Sequence, residues 1–310
     1  MAFKWRRKAL MLKAEGTYGV DPTPAAATDA VLARNVSLRP LILDADERTL
    51  VLPWFGNFGK LVAGKHVEID FDVEMAGAGA AGTVPAYGPA LVACEHSQTV
   101  NAGTSVVYAP ITTGEGSCTI YFYLDGRLHK ILGARGTVSM SLEAGRIPVF
   151  KFKFVGLFAT PTDTAIITPT VSAFVKPLAV NFANTTPATL HTFAGKIRSL
   201  SIDQGNVVSY RNLVGAEVVS FTDRKASGSI KMEDELVATK DWWTIAGAAT
   251  LGALTITQGT AAGNKVTIAG ANVQVSDPAA DEENGVAMIT MGLDFTPSSA
   301  GNDEYSITVL

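Results

Sequence analysis

GRLHKILGARGTVS occupies Gly126–Ser139, and GNKVTIAGANVQVS occupies Gly263–Ser276. Six positions agree at a constant offset of 137 residues: Gly126/Gly263, Ile131/Ile268, Gly133/Gly270, Ala134/Ala271, Val138/Val275 and Ser139/Ser276. Further on, GLFATP (Gly156–Pro161) meets GLDFTP (Gly292–Pro297) at an offset of 136. Two matches in the same order and at nearly the same spacing mark an internal repeat, which fixes architecture before any finer reading. A period this long is the size of a domain, not of a solenoid unit. The expectation is one fold present twice. Residues 1–33 form an N-terminal arm, 34–160 a first domain, 161–192 a linker and 193–310 a second domain.

The patterning between these landmarks is that of strands. Val67, Ile69, Phe71, Val73 and Met75 alternate with Glu68, Asp70, Asp72 and Glu74, as in a half-buried strand. Ile147–Phe154 repeats the logic, with Phe150, Phe152 and Phe154 inside and Lys151 and Lys153 outside. Thr119–Leu124 and His129–Leu132 flank Asp125-Gly126, a strong hairpin signal. Helices are few. Gly88-Pro89 opens a short one over ALVACEHS, and KDWWTIAGAA (Lys240–Ala249) takes the corresponding place in the second half, with Trp242, Trp243 and Ile245 as its buried side. The fold class is mainly β: two tandem antiparallel β-sandwich or barrel domains, each with one short α-helix.

Several stretches read as irregular. The arm carries turn signals at Gly16, Gly19, Asp21-Pro22 and Pro24. Arg39–Gly64 and its counterpart Ser201–Ala226 are long for structureless loops, and loops of that length are usually functional. Within the first, LVLPWFGNF (Leu50–Phe58) is too apolar to stay in water, so Leu50, Leu52, Trp54, Phe55 and Phe58 are candidates for docking on a partner. Ala76–Tyr87 is Gly/Ala-rich and reads as mobile. The Thr/Pro-rich linker includes two strand-like pieces, Val171–Val175 and Leu178–Phe182.

Composition narrows the functional class. The 310 residues are 47% hydrophobic and only 17% charged, against roughly 25% charged in a typical soluble domain. That balance points to surface hidden in an assembly. A net charge of −4 offers no basic platform for nucleic acid. Two cysteines, Cys94 and Cys118, make no disulfide scaffold and read as reduced thiols. The apolar run near the N-terminus, ALML, is too short for a signal-peptide core, and no stretch reaches the roughly 20 apolar residues of a membrane helix. The expectation is a chain made and folded in the cytoplasm.

Chemical motifs do not survive inspection. Gly77-Ala78-Gly79-Ala80-Ala81-Gly82 matches G-x-G-x-x-G, but the following Thr83-Val84-Pro85 cannot open the helix that dinucleotide binding needs. Glu68, Asp70, Asp72 and Glu74 share one strand face without a histidine or calcium-loop spacing. A solvated face paired with Lys151 and Lys153 accounts for them. His66, His96, His129 and His191 have no metal spacing and read as satisfied surface or rim histidines. No G-x-S-x-G elbow or C-x-x-C pair occurs. The expectation is a non-enzyme with no catalytic, cofactor-binding or metal-ligating residues.

Three pieces carry a family resemblance: KAEGTYGVDPTPAAATDAVL (Lys13–Leu32), YGPALVAC (Tyr87–Cys94) and GARGTVSMSLEAGRIPVFKFKFVGLF (Gly133–Phe158). Together they resemble the tail tube (major tail) proteins of long-tailed bacteriophages, here with the tail-tube domain duplicated. The second half departs from the pattern, since Arg135-Gly136 becomes Asn272-Val273. The resemblance implies a structural virion protein that self-associates into rings of six β-sandwich domains, stacked as a hollow tube for genome passage. It implies that an inner sheet continues from domain to domain, that 13–32 is a reaching arm, and that Arg39–Gly64 and Ser201–Ala226 are inter-ring loops. The tape measure, tail terminator and distal tail proteins are the implied partners, DNA passes without specific binding, and no membrane is involved. Because each chain supplies two of six positions, the ring is expected to be a trimer with pseudo-sixfold symmetry. A sliding duplex calls for a wall that repels phosphate, so Glu68, Asp70, Asp72 and Glu74 are candidate lumen-facing residues. A carbohydrate-binding or adhesin-type β-sandwich is the alternative, with Trp54, Tyr87, Trp242 and Trp243 as its candidate binding aromatics.

Overall fold

The computed structural model describes residues 4–171 and 174–310. Its first half runs β1 (Lys8–Ala14), β2 (Ala30–Val31), β3 (Ala33–Glu47), β4 (Lys60–Glu74), α1 (Gly88–Val92), β5 (Thr99–Asn101), β6 (Ser105–Tyr108), β7 (Cys118–Leu124), β8 (Arg127–Glu143), β9 (Val149–Phe158) and β10 (Thr162–Asp163). The second runs β11 (Thr185–Leu190), β12 (Ile197–Asp203), β13 (Asn206–Leu213), β14 (Ala216–Arg224), β15 (Ser227–Glu233), α2 (Trp242–Gly247), β16 (Leu251–Gln258), β17 (Val266–Glu283), β18 (Val286–Phe295) and β19 (Ser306–Val309). The fold is mainly β, and its strand pairings are antiparallel.

Asp125 and Gly126 turn the chain between β7 and β8 with φ of 42° and 101°. Positive φ at both central residues is what a two-residue hairpin of type I′ requires. Around this hairpin the first half pairs its strands in the order β3–β4–β9–β8–β7–β1. The second half pairs in the order β12–β15–β18–β17–β16–β11. The two orders correspond strand for strand, and each helix falls between corresponding strands. They differ after Ser139 and Ser276. β17 shifts register between Ser276 and Ala279, around Asp277 at φ 49° and Pro278, whereas β8 pairs β9 without a shift from Arg135 to Ser141.

β8 also pairs with β12, from Ser139↔Asp203 to Glu143↔Ser199. This splice merges the halves into one sheet, β3–β4–β9–β8–β12–β15–β18–β17. One face is apolar: Phe71, Phe152 and Phe154 pack ring against ring, and Met140, Leu200, Ile230 and Met291 continue the layer. Leu12 of β1, Ile120 of β7 and Leu91 of α1 belong to the same buried cluster, so the sheet folds back over its own core. A second seam joins β6 to β19, at Tyr108↔Ile307.

The structure corrects several sequence expectations. The N-terminal arm is not irregular throughout: Lys8–Ala14 is a buried strand on β7, with Leu10, Met11 and Leu12 almost fully covered. Its ALML run is buried on both faces, and therefore shows no alternation. Arg39–Gly64 is not a loop over its length, because β3 and β4 extend through it and leave only 48–59 outside strands. Ser201–Ala226 is largely the β13–β14 hairpin. Leu178–Phe182 is irregular, and Val171–Val175 lies in part outside the described residues. In α2, Trp242 is buried and Ile245 packs on the core, but Trp243 is half exposed. The glycine-rich stretch is held rather than loose: Gly79 N–H donates to Gly263 O at 2.8 Å and Gly77 N–H to Asn264 Oδ1 at 3.2 Å. A Cβ on Gly77 would sit 2.2 Å from Gly263 O, and Gly263 itself has φ +81°, so this backbone crossing needs glycine on both sides.

Candidate assembly interface

The strand alternation of β4 places Glu68, Asp70, Asp72 and Glu74 on the sheet face opposite the phenylalanine layer. Their partners come from both neighbouring strands. Arg34 contacts Glu74 at 3.3 Å, Arg39 contacts Glu68 at 3.1 Å, and Asn35 donates to Asp72 at 2.7 Å. On the other side Asp70 stands opposite Lys153 and Asp72 opposite Lys151. Partial burial raises the Asp70 carboxyl above its usual range, and Lys153 opposes that shift. The same face continues with Ser139 and Ser141 on β8, Ser201 and Asp203 on β12, and Lys231 on β15. It is polar and carries both signs of charge.

Two edges of this sheet lack a strand partner among the described residues. β3 pairs only with β4, and its outer edge is open along 33–47. β17 is covered by β16 over 266–274, and beyond that its second edge is free. The free part of β17 corresponds to the part of β8 that holds β12. β3 in turn corresponds to β12. Each half thus ends in the complement of the contact already made inside the chain.

The tip of the β3–β4 hairpin, 48–59, stands clear of the core. Val51 and Phe55 are fully exposed, Trp54 is 63% exposed, Leu50 and Leu52 are more than a third exposed, and Phe58 is half-buried. The strand register places this tip at the Phe158 end of β9, away from Val149. The β13–β14 hairpin braces its base: Tyr210 stacks on His66 at 4.7 Å, Lys65 N–H donates to Tyr210 Oη at 3.2 Å, and Asn212 donates to Ala63 O at 2.8 Å.

A buried polar node ties the halves together. Arg224, at the end of β14, donates to Ile111 O at 2.6 Å, Asn302 Oδ1 at 3.1 Å and Glu304 Oε1 at 3.0 Å, and pairs with Glu95 at 3.4 Å. Beside it His96 Nδ1 donates to Leu91 O at 3.0 Å, which leaves Nε2 to accept from Tyr305 Oη at 2.8 Å. Gln204 and Asn206 both donate to Cys94 O. The sequence gives no motif for this node, because its members lie on segments far apart in the chain. His96 and His191 are hydrogen-bonded, but they and His129 are buried rather than at the surface. Cys94 and Cys118 are free and buried, and burial pushes both thiols up.

Glu95 and His96 titrate in opposite senses. Burial raises the Glu95 carboxyl from 4.5 to about 6, assisted by Glu115 and opposed by Arg224 and Arg135. Burial lowers the His96 imidazole from 6.5 to about 4. The stability that His96 lends above pH 6.5 is lost as pH falls toward 4. Glu95 binds its proton more tightly when folded, so it adds stability as pH falls from 6 to 4.5. The two offset each other in that window. Glu95→Gln removes the offset, so relative to the wild type the variant loses about 2 kcal/mol between pH 6 and 4.5. Urea unfolding at the two pH values measures it, and a pH-independent difference between the proteins contradicts it.

A family model described as phage tail tube protein matches residues 5–296. The chain belongs to the phage tail tube protein family. No curated protein matches it. A tail tube protein is a structural component of the virion that assembles with its own copies and with other tail proteins. Among the described residues no helix of this tail tube chain is long and apolar enough to cross a membrane. Of the aromatics named for glycan binding, Tyr87 and Trp242 are buried, leaving Trp54 and Trp243 exposed.

Proposed function

We propose that the chain is a duplicated tail-tube unit, that three copies close into a ring with six domain positions, and that rings stack into a tube through which DNA passes. The observation that carries this reading is the β8–β12 splice. Its corresponding edges on β17 and β3 are open, so β17 of one copy offers β3 of the next the contact that β8 offers β12. The part of β17 beyond Gln274 then faces β3 of the neighbour. Repeating that contact three times closes the sheet and covers both of these open edges. The polar face, with Glu68, Asp70, Asp72 and Glu74, lines the bore. Lysines and arginines there are matched by carboxylates, which leaves little to hold a phosphate backbone. Assembly in the host cytoplasm, and docking to the tape measure, terminator and distal tail proteins, belong to the same reading.

Negative-stain microscopy of the purified protein, with native mass spectrometry of its smallest closed species, tests it. The expected result is tubes or rings built from three chains. A ring of six chains, or a monodisperse monomer that binds glycans, overturns it.

A further inference from the structure

A groove of about 670 Å³ opens at the junction of the two halves. Its apolar lining includes Leu142, Val180, Ile197, Ile256, Val286 and Met288. It lies at the far end of the sheet from the β3–β4 tip. The tip is at the Phe158 end of β9, which pairs with Ile131 of β8, whereas the groove begins at Leu142, near the opposite end of β8. One end of the molecule therefore presents exposed apolar side chains, and the other presents an apolar recess.

We infer that the 48–59 tip of one copy inserts into this groove on the copy stacked next to it along the tube axis. The inference rests on the tube reading above and assigns a receptor to its inter-ring loop. Three features fit the pair. The first is polarity: a tip at one end and a recess at the opposite end make a head-to-tail contact, the kind that propagates as a filament where its rotation does not close. The second is apolar area: Leu50, Val51, Leu52, Trp54 and Phe55 form a contiguous exposed run of the kind that marks an interaction site. The third is charge. Arg48 is the one charged residue of 48–59. Around the groove Glu143, Glu233, Glu235, Asp281 and Glu283 outnumber their partners Lys196, Arg198 and Lys231. A positive tip meets a rim with a negative surplus.

The test uses the full chain. Phe55→Cys and Val286→Cys are placed together in one chain, and tubes are treated with a short bismaleimide. Native Cys94 and Cys118 are fully buried and stay silent. The expected product is a ladder of covalent multimers; a mixture of the two single variants gives dimers and nothing longer. Phe55→Glu, at a fully exposed site, is expected to keep the wild-type circular dichroism spectrum and ring size while reducing tube length at least tenfold. Normal tubes from Phe55→Glu, or tubes with no cross-link between these positions, overturn this contact and leave the tube reading standing. A wild-type chain that forms neither rings nor tubes overturns both.

Discussion

Arg224→Ala lowers the free energy of unfolding by about 3–5 kcal/mol, the cost of breaking a buried ion pair from one side. The Arg224 side chain is only 9% exposed, and its guanidinium donors reach a backbone carbonyl, an amide oxygen and two carboxylates drawn from both halves of the chain. Alanine removes every one of those donors at once. Glu95 and Glu304 then face each other's charge in a dry site, and Glu304 Oε2 already lacks a partner. Arg224→Lys keeps the charge but not the fork, so it recovers part of the loss. Adding Glu95→Gln to Arg224→Ala removes one stranded charge and makes the double variant more stable than the single one. Urea unfolding of the three variants measures this. A loss below about 1 kcal/mol for Arg224→Ala means that the node is solvated and does not hold the halves together.

Trp242→Ala costs a similar amount, about 3–5 kcal/mol, whereas Trp243→Ala costs less than about 1 kcal/mol. The two are neighbours in one helix. Trp242 is 1% exposed, with Phe193 and His191 edge-on to its ring at 5.9 and 6.2 Å. Its removal opens a void that the backbone of β11 and β17 cannot fill. Trp243 points away from that core and is 46% exposed. Thermal or urea unfolding of both variants separates them, and equal losses contradict the assigned helix face. Asp241 fixes that face: its carboxylate accepts from Thr244 N–H at 2.9 Å and starts the helix.

What could be read in the sequence was whatever one face of an element decides by itself. The alternation through β4 and β9 placed Phe71, Phe152 and Phe154 inside and the carboxylates and Lys151 and Lys153 outside, because burying one face imposes a period of two. Asp125-Gly126 marked its hairpin, since few residue pairs adopt that backbone. The ends of β3 and β4 were illegible: past the core neither face is buried, so residues 41–62 show no period. The splice of β12 onto β8 was hidden for another reason. Alternation says which side chains point inward, and says nothing about which strand lies alongside. The Arg224 node left no trace because its partners, Glu95, Ile111, Asn302 and Glu304, are contributed by segments that meet only in the folded chain.

The β8–β12 splice also bears on how tube growth responds to subunit supply. In the proposed ring, half of the lateral joints form while the chain folds, at a fixed effective concentration that dilution cannot lower. Only the β17–β3 joints depend on encounters between molecules. Ring formation is then third order in subunit rather than sixth, so rings persist at low copy number and their appearance has a shallower threshold. Such a joint also cannot be made with the wrong partner.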